Sequence, residues 1–246
     1  MAKRGELPEQ LRVPWGIGQA ILVFALVWIG LPVLIILGAR ILAPYVPFVN
    51  SFLEGLINGT VSADFVNAVI DAVAGLALVA YYLRKYKIGW SAVGWRKFNP
   101  WKALLVLVGV FAIFLVGVTV LLALVAALIP SFNANQPQTN DFTGSVIQNH
   151  RLIAILALVV IPPIIEETLF RGFIFPAFAK RWGTIVGAVC SSVLFGFAHL
   201  QANVSVYTFF LGLLLCYMYV KLRSVYPGMA LHMINNYLAL MALSGK

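Results

Sequence analysis

Two adjacent carboxylates, Glu166 and Glu167, stand inside the apolar run IPPIIEETLFRGFIF, and two of the three histidines, His199 and His232, stand in apolar runs further along. A charged side chain at mid-membrane costs about 2.5–3.5 kcal/mol on insertion scales, so acids in such a run point to a functional site by default. Burial raises a carboxylate's pKa toward neutrality, where it can exchange protons as a general base or acid. The amides Asn235 and Asn236 lie close to His232 in sequence.

Spacing divides the labour. On a helix Glu167 and Arg171 are i,i+4 neighbours with the acid on the N-terminal side, the favourable order for an ion pair. Glu166 points about 100° away from its neighbour. Glu167 therefore has a structural partner at hand and Glu166 has none, which makes Glu166 the candidate catalyst. His199 closes the segment Phe195-Gly-Phe-Ala-His199, and His232 shares a helix face with Asn236, with Asn235 close to it. A lone histidine in an apolar helix is usually a satisfied core residue; two of them with an amide and a glutamate in three spans argue for one shared site. His150 has no patterned partner and reads as loop surface. Asp71, with Asn67 and Asp64 at helical spacing, reads as a polar stripe; a wall lining a cavity is its functional alternative. Counting helical rise puts Glu166 about 24 Å before a turn at Lys180–Gly183 and His232 about 10 Å after one at Tyr226-Pro-Gly. A shared site then requires one hairpin to project or its helices to break, and a Glu166–His232 separation above about 12 Å would defeat it.

The elements that must position these groups are membrane spans. The chain has 246 residues, 62% hydrophobic and 10% charged, against about 45–50% and 25% in soluble domains. That balance excludes a soluble globular enzyme, a disordered chain and a disulfide-stapled domain. At about 20 apolar residues per span, the expected fold is all-α: a polytopic transmembrane helical bundle of about seven spans, within a range of six to eight. The spans are read at about 16–39, 64–83, 103–129, 151–170, 184–200, 205–220 and 227–243. Segment 44–60 reads as an irregular loop with an amphipathic turn, and 130–150 as a polar loop. Residues 1–15 read as a cytoplasmic N-terminal tail, 16–149 as N-terminal spans and loops, and 150–246 as the catalytic core. Cys190 and Cys216 read as buried thiols.

The net charge of +9, from 17 Lys+Arg against 8 Asp+Glu, could suggest nucleic acid. Topology accounts for it instead. With the N-terminus inside, 14 basic residues fall on the cytoplasmic side and only Arg40, Arg151 and Lys246 outside, which places the C-terminus outside. Segment 88–97 interleaves aromatics with cations, as an interfacial stretch on an anionic leaflet would. No nucleic-acid partner is expected; the lipid bilayer is.

On the three motifs the chain resembles the CPBP intramembrane proteases, the CAAX-prenyl-endopeptidase and bacteriocin-processing proteins also called the Abi family. Their EExxxR, FxxxH and HxxxN stand here as Glu166-Glu167-xxx-Arg171, Phe195-xxx-His199 and His232-xxx-Asn236. The likeness covers about residues 150–240 and is looser over 88–102. It implies a membrane endopeptidase in which Glu166 activates water, His199 helps bind that water or a metal, and His232 and Asn236 polarise the carbonyl and hold the oxyanion. Glu167 and Arg171 would brace the helix. It also implies a membrane-associated peptide substrate, either prenylated or leader-bearing.

Glu166, His199 and His232 would make a His₂Glu zinc site, although no HExxH puts two ligands on one turn. The mechanism stays open between zinc and a metal-free glutamate protease, with the metal-free form favoured and zinc the one cofactor that could enter. No GxSxG or GxGD motif, Walker loop or dinucleotide fingerprint occurs. Two other functions fit the same polar residues: a non-catalytic membrane adaptor or bacteriocin-immunity protein, and a proton-coupled transporter.

Overall fold

The computed structural model describes residues 7–58, 60–129, 131–133 and 150–244, and all regular structure among them is helical. Among the described residues the chain runs through seven helices: α1 Ile17–Leu42, α2 Pro47–Asn58, α3 Val61–Lys85, α4 Pro100–Leu128, α5 Arg151–Phe197, α6 Ala202–Leu222 and α7 Tyr226–Ser244. The fold class is the expected one. Five of them (α1, α3, α4, α5 and α6) are long and apolar enough to cross a bilayer. On α4 the apolar side chains point outward, with Leu105, Ile113 and Leu128 at least 75% exposed. A soluble monomer rarely shows contiguous apolar patches above a few hundred Å², so these faces belong against lipid and the chain is an integral membrane protein.

Two boundaries differ from expectation, and proline explains both. Segment 44–60 is not an irregular loop: Pro47 opens α2, where a missing N–H costs nothing. Tyr226-Pro-Gly is not the turn before the last helix but its first turn, with Pro227 in the tolerated position. The chain reverses at 223–225 instead, where Arg223 takes φ 59°. The break expected at Lys180–Gly183 is present, since Gly183 interrupts α5 at φ 83° and ψ 166°, a conformation glycine adopts without a Cβ penalty. Cys190 is half-buried rather than buried. Most of the loop expected over 130–150, with Asp141, lies outside the described residues, as do Lys3, Arg4, Glu6 and Lys246.

The chain divides into two compact units interleaved along the sequence. The first comprises residues 1–20, 81–138 and 167–231. Within it α5 and α6 approach through small residues. A Cβ on Gly196 would lie 2.7 Å from the Ser205 carbonyl oxygen, and one on Gly212 would lie 2.9 Å from Ser192. Small residues are what lets helix backbones close up in lipid, where no hydrophobic effect drives them together. Segment 7–15 is anchored: Trp15 stacks on Phe173 at 4.5 Å and donates to its carbonyl, and Gln10 donates to the Val220 carbonyl. Segment 88–97 packs into the same unit through buried Val93 and through Trp95, which donates to Thr168 Oγ1 at 3.0 Å. Trp90 and Lys97 stay exposed.

The second unit comprises residues 21–80, 139–166 and 232–246. Its apolar cluster joins Val61 of α3, Ala154 and Val159 of α5, and Leu240 of α7.

Candidate active site

Glu166, His232 and Asn236 fall in the second unit. Glu166 ends the stretch Ile161–Glu166 of α5, and His232 lies one and a half turns into α7. Glu166 Oε2 stands 3.7 Å from His232 Nε2, well inside the separation a shared site requires. His232 is almost fully buried and the Glu166 side chain is 18% exposed. Glu166 Oε2 itself is buried and accepts no hydrogen bond from a described residue. At 3.7 Å the imidazole is too far for a direct bond and close enough for an ion pair when protonated.

Asn236 is held by a carbonyl that the helix leaves free. The α-helical donor to the Leu158 carbonyl would be residue 162 and the π-helical donor residue 163; both are proline and carry no N–H. The backbone there opens into a wide turn, Ile155–Val160, and Asn236 Nδ2 donates to Leu158 O at 2.9 Å. Asn236 Oδ1 accepts from Asn235 at 3.4 Å. One hydrogen of the Asn236 amide remains for another acceptor. Neither proline was read as part of the site in the sequence; the signal was the Pro-Pro pair four and five residues after Leu158.

On α3, Asn67 Nδ2 donates to Asp71 Oδ2 at 3.0 Å, so the expected face is real. Asp71 is partly buried and belongs to the same unit as Glu166. Its Oδ1 is buried and accepts no hydrogen bond from a described residue.

The remaining motif residues belong to the first unit. Glu167 accepts from Arg171 Nη1 at 2.9 Å, both side chains 1% exposed, in the wide turns of Glu167–Ile174. Arg171 is therefore no loop charge, and it leaves the count of cytoplasmic basic residues. Its guanidinium lies 4.3 Å from the centre of the Phe195 ring, and Phe195 meets the His199 ring edge-on at 5.1 Å. Arginine, phenylalanine and histidine thus form one packed series that ties EExxxR to FxxxH and gives the phenylalanine a role. His199 Nδ1 is 2.9 Å from the Phe195 carbonyl. A carbonyl only accepts, so Nδ1 carries a proton, and in the neutral ring Nε2 is then the acceptor. His150 is an exposed residue at the start of α5.

Among the described residues no three His, Cys, Asp or Glu side chains converge as ligands for a metal ion. Glu166 and His232 are two of the three protein ligands a catalytic zinc would take.

Residues 148–238 match one family model, described as type II CAAX prenyl endopeptidase Rce1-like. That segment is similar to this family. It contains Glu166, Glu167, Arg171, Phe195, His199, His232 and Asn236, the whole motif set on which the resemblance rests. Neither the curated proteins nor the solved structures gave a match. Asp71 and the anchored segment 7–15 lie outside the Rce1-like stretch.

Proposed function

We propose that the chain is an intramembrane endopeptidase that hydrolyses a peptide bond with water activated by Glu166. The observation that carries this reading is the Glu166 carboxylate: buried at Oε2, without a hydrogen bond, and 3.7 Å from His232 Nε2. A buried acceptor left unpaired costs about 1–3 kcal/mol, and polar groups at that separation are those a water bridges. The Rce1-like segment supports a protease of the CAAX type at the level of the family.

In the reaction Glu166 takes a proton from water, and the resulting hydroxide attacks the scissile carbonyl carbon. His232 and the remaining Asn236 N–H hold the oxyanion that forms. The C–N bond then breaks, and Glu166 returns its proton to the leaving amine. The family resemblance adds His199 as a residue that helps bind the water, a role for which its Nε2 lone pair is suited. Glu167 and Arg171 brace the helix, and no step passes through a metal. The substrate is a membrane-associated peptide, either a prenylated CAAX chain or a leader-bearing one. With Arg171 set aside, 13 basic residues against 3 favour an N-terminus in the cytoplasm and a C-terminus outside.

The test is a proteomic comparison of cells carrying the wild type with cells carrying Glu166→Ala. A peptide cut only in the wild type supports the reading. A phenotype unchanged by Glu166→Ala, His199→Ala and His232→Ala overturns it in favour of an adaptor, and proton-coupled uptake by pure protein in liposomes would make it a transporter. Cleavage lost on chelation and restored by zinc would overturn the metal-free step.

A further inference from the structure

The first unit holds a cleft of about 710 Å³ between the start of α4 and the end of α6. Lys97, Lys102, Lys221 and Arg223 line it together with Asn99 and Phe98, and no carboxylate does. The chain builds it from two segments that one backbone and one side-chain hydrogen bond hold together: Val225 N donates to Gly94 O at 3.0 Å, and Ser224 Oγ to Arg96 O at 2.8 Å. Residues 97–102 are thereby held beside 220–223. Lys102 Nζ donates to the Lys221 carbonyl at 3.3 Å, which sets one ammonium across the cleft. Arg223 is partly answered by Glu9 at 3.6 Å. Lys97, Lys102 and Lys221 are exposed, and none has an acidic partner among the described residues.

Depth identifies the occupant. One membrane span begins at Pro100 and another ends at Leu222, so the cleft opens where hydrocarbon gives way to headgroups. Phe98 of its lining is 39% exposed, and Trp101, next to Lys102 in the sequence, is 74% exposed, the aromatic marking of that boundary. Like cations packed this closely repel one another unless an anion joins them.

We propose that this cleft binds the phosphate of an anionic phospholipid headgroup, with Lys97, Lys102 and Lys221 as its cations and Phe98 and Trp101 against the upper acyl chains. The shared chemistry is a phosphate, and its depth assigns it to lipid rather than to the free ion. The site is independent of the proteolytic reading, since no residue of the proposed active site lines it.

The experiment is native mass spectrometry of the delipidated full chain in detergent, titrated with dimyristoyl phosphatidylglycerol, dimyristoyl phosphatidylcholine and inorganic phosphate. At about fivefold per cation near a headgroup surface, Lys97→Gln alone should weaken the phosphatidylglycerol complex about fivefold. The triple variant Lys97→Gln, Lys102→Gln, Lys221→Gln should weaken it about 100-fold, to the level of phosphatidylcholine. A control that removes the same charge elsewhere, Arg84→Gln, Lys85→Gln, Lys87→Gln, should leave it within about threefold of wild type, since those exposed residues do not line the cleft. Equal binding of the two lipids overturns the proposal. So does a control that loses as much as the cleft variants, or inorganic phosphate that binds as tightly as phosphatidylglycerol.

Discussion

Arg171 and Glu167 form a buried pair, each 1% exposed and 2.9 Å apart, with Arg171 also 4.3 Å from the Phe195 ring centre. Replacing Arg171 with methionine fills the volume but leaves the Glu167 carboxylate buried without its cation. Removing one member of such a pair costs about 3–5 kcal/mol, and the lost cation–π contact adds up to about 2 kcal/mol. For a chain of this length roughly 2–4 °C of melting temperature goes with each kcal/mol, so Arg171→Met should lower it by roughly 6–28 °C. The double variant Glu167→Gln, Arg171→Met removes both charges at once and should recover most of the loss, with about 2–3 kcal/mol of coupling between the sites. The assay is unfolding by sodium dodecyl sulfate in mild-detergent micelles, followed by tryptophan fluorescence, on wild type, both singles and the double. The reasoning is refuted if Arg171→Met stays within about 1 kcal/mol of wild type, or if the double variant loses the sum of the singles.

Three further outcomes follow from particular contacts. Pro162→Ala, Pro163→Ala restores backbone donors that compete with Asn236 for the Leu158 carbonyl; cleavage by the purified protein should fall about tenfold or more, as expected when a positioned group is released, with the fold intact by circular dichroism. Trp15→Ala removes a fully buried ring stacked at 4.5 Å on Phe173 and should cost about 3–5 kcal/mol in the same unfolding titration. Gly172→Val should cost more than Gly18→Val, because a Cβ at 172 runs into the Val93 carbonyl whereas at 18 nothing stands within 4 Å; equal losses would show that helix propensity, and not contact, decides.

What the sequence made legible was local. The Glu167–Arg171 pair follows from i,i+4 spacing, and the Asn67–Asp71 bond from the same rule. The division of roles between the two glutamates rested on the same spacing argument. The Glu166–His232 approach needed tertiary structure, because counting depth along helices cannot tell a projecting hairpin from a broken one. Leu158 escaped notice for a related reason: a carbonyl orphaned by Pro162 and Pro163 is visible in the sequence, but its partner on α7 is not. Segment 7–15 read as a tail because a short polar and aromatic stretch before a span has no periodicity, whereas its hydrogen bonds reach residues 158 to 210 positions away. Segment 44–60 reads as a loop and Tyr226-Pro-Gly as a turn, whereas Pro47 and Pro227 each stand in the first turn of a helix.

The central claim is that Glu166 is the base of a hydrolytic site. Its most direct test is the single-turnover rate of peptide-bond cleavage by purified wild type and Glu166→Gln in liposomes, on a peptide identified by the proteomic comparison, with equal unfolding midpoints as the control. The account predicts a fall of about 10²–10⁴ for Glu166→Gln, with solvent oxygen incorporated at the new carboxylate by the wild type. A Glu166→Gln rate within about threefold of wild type would contradict it.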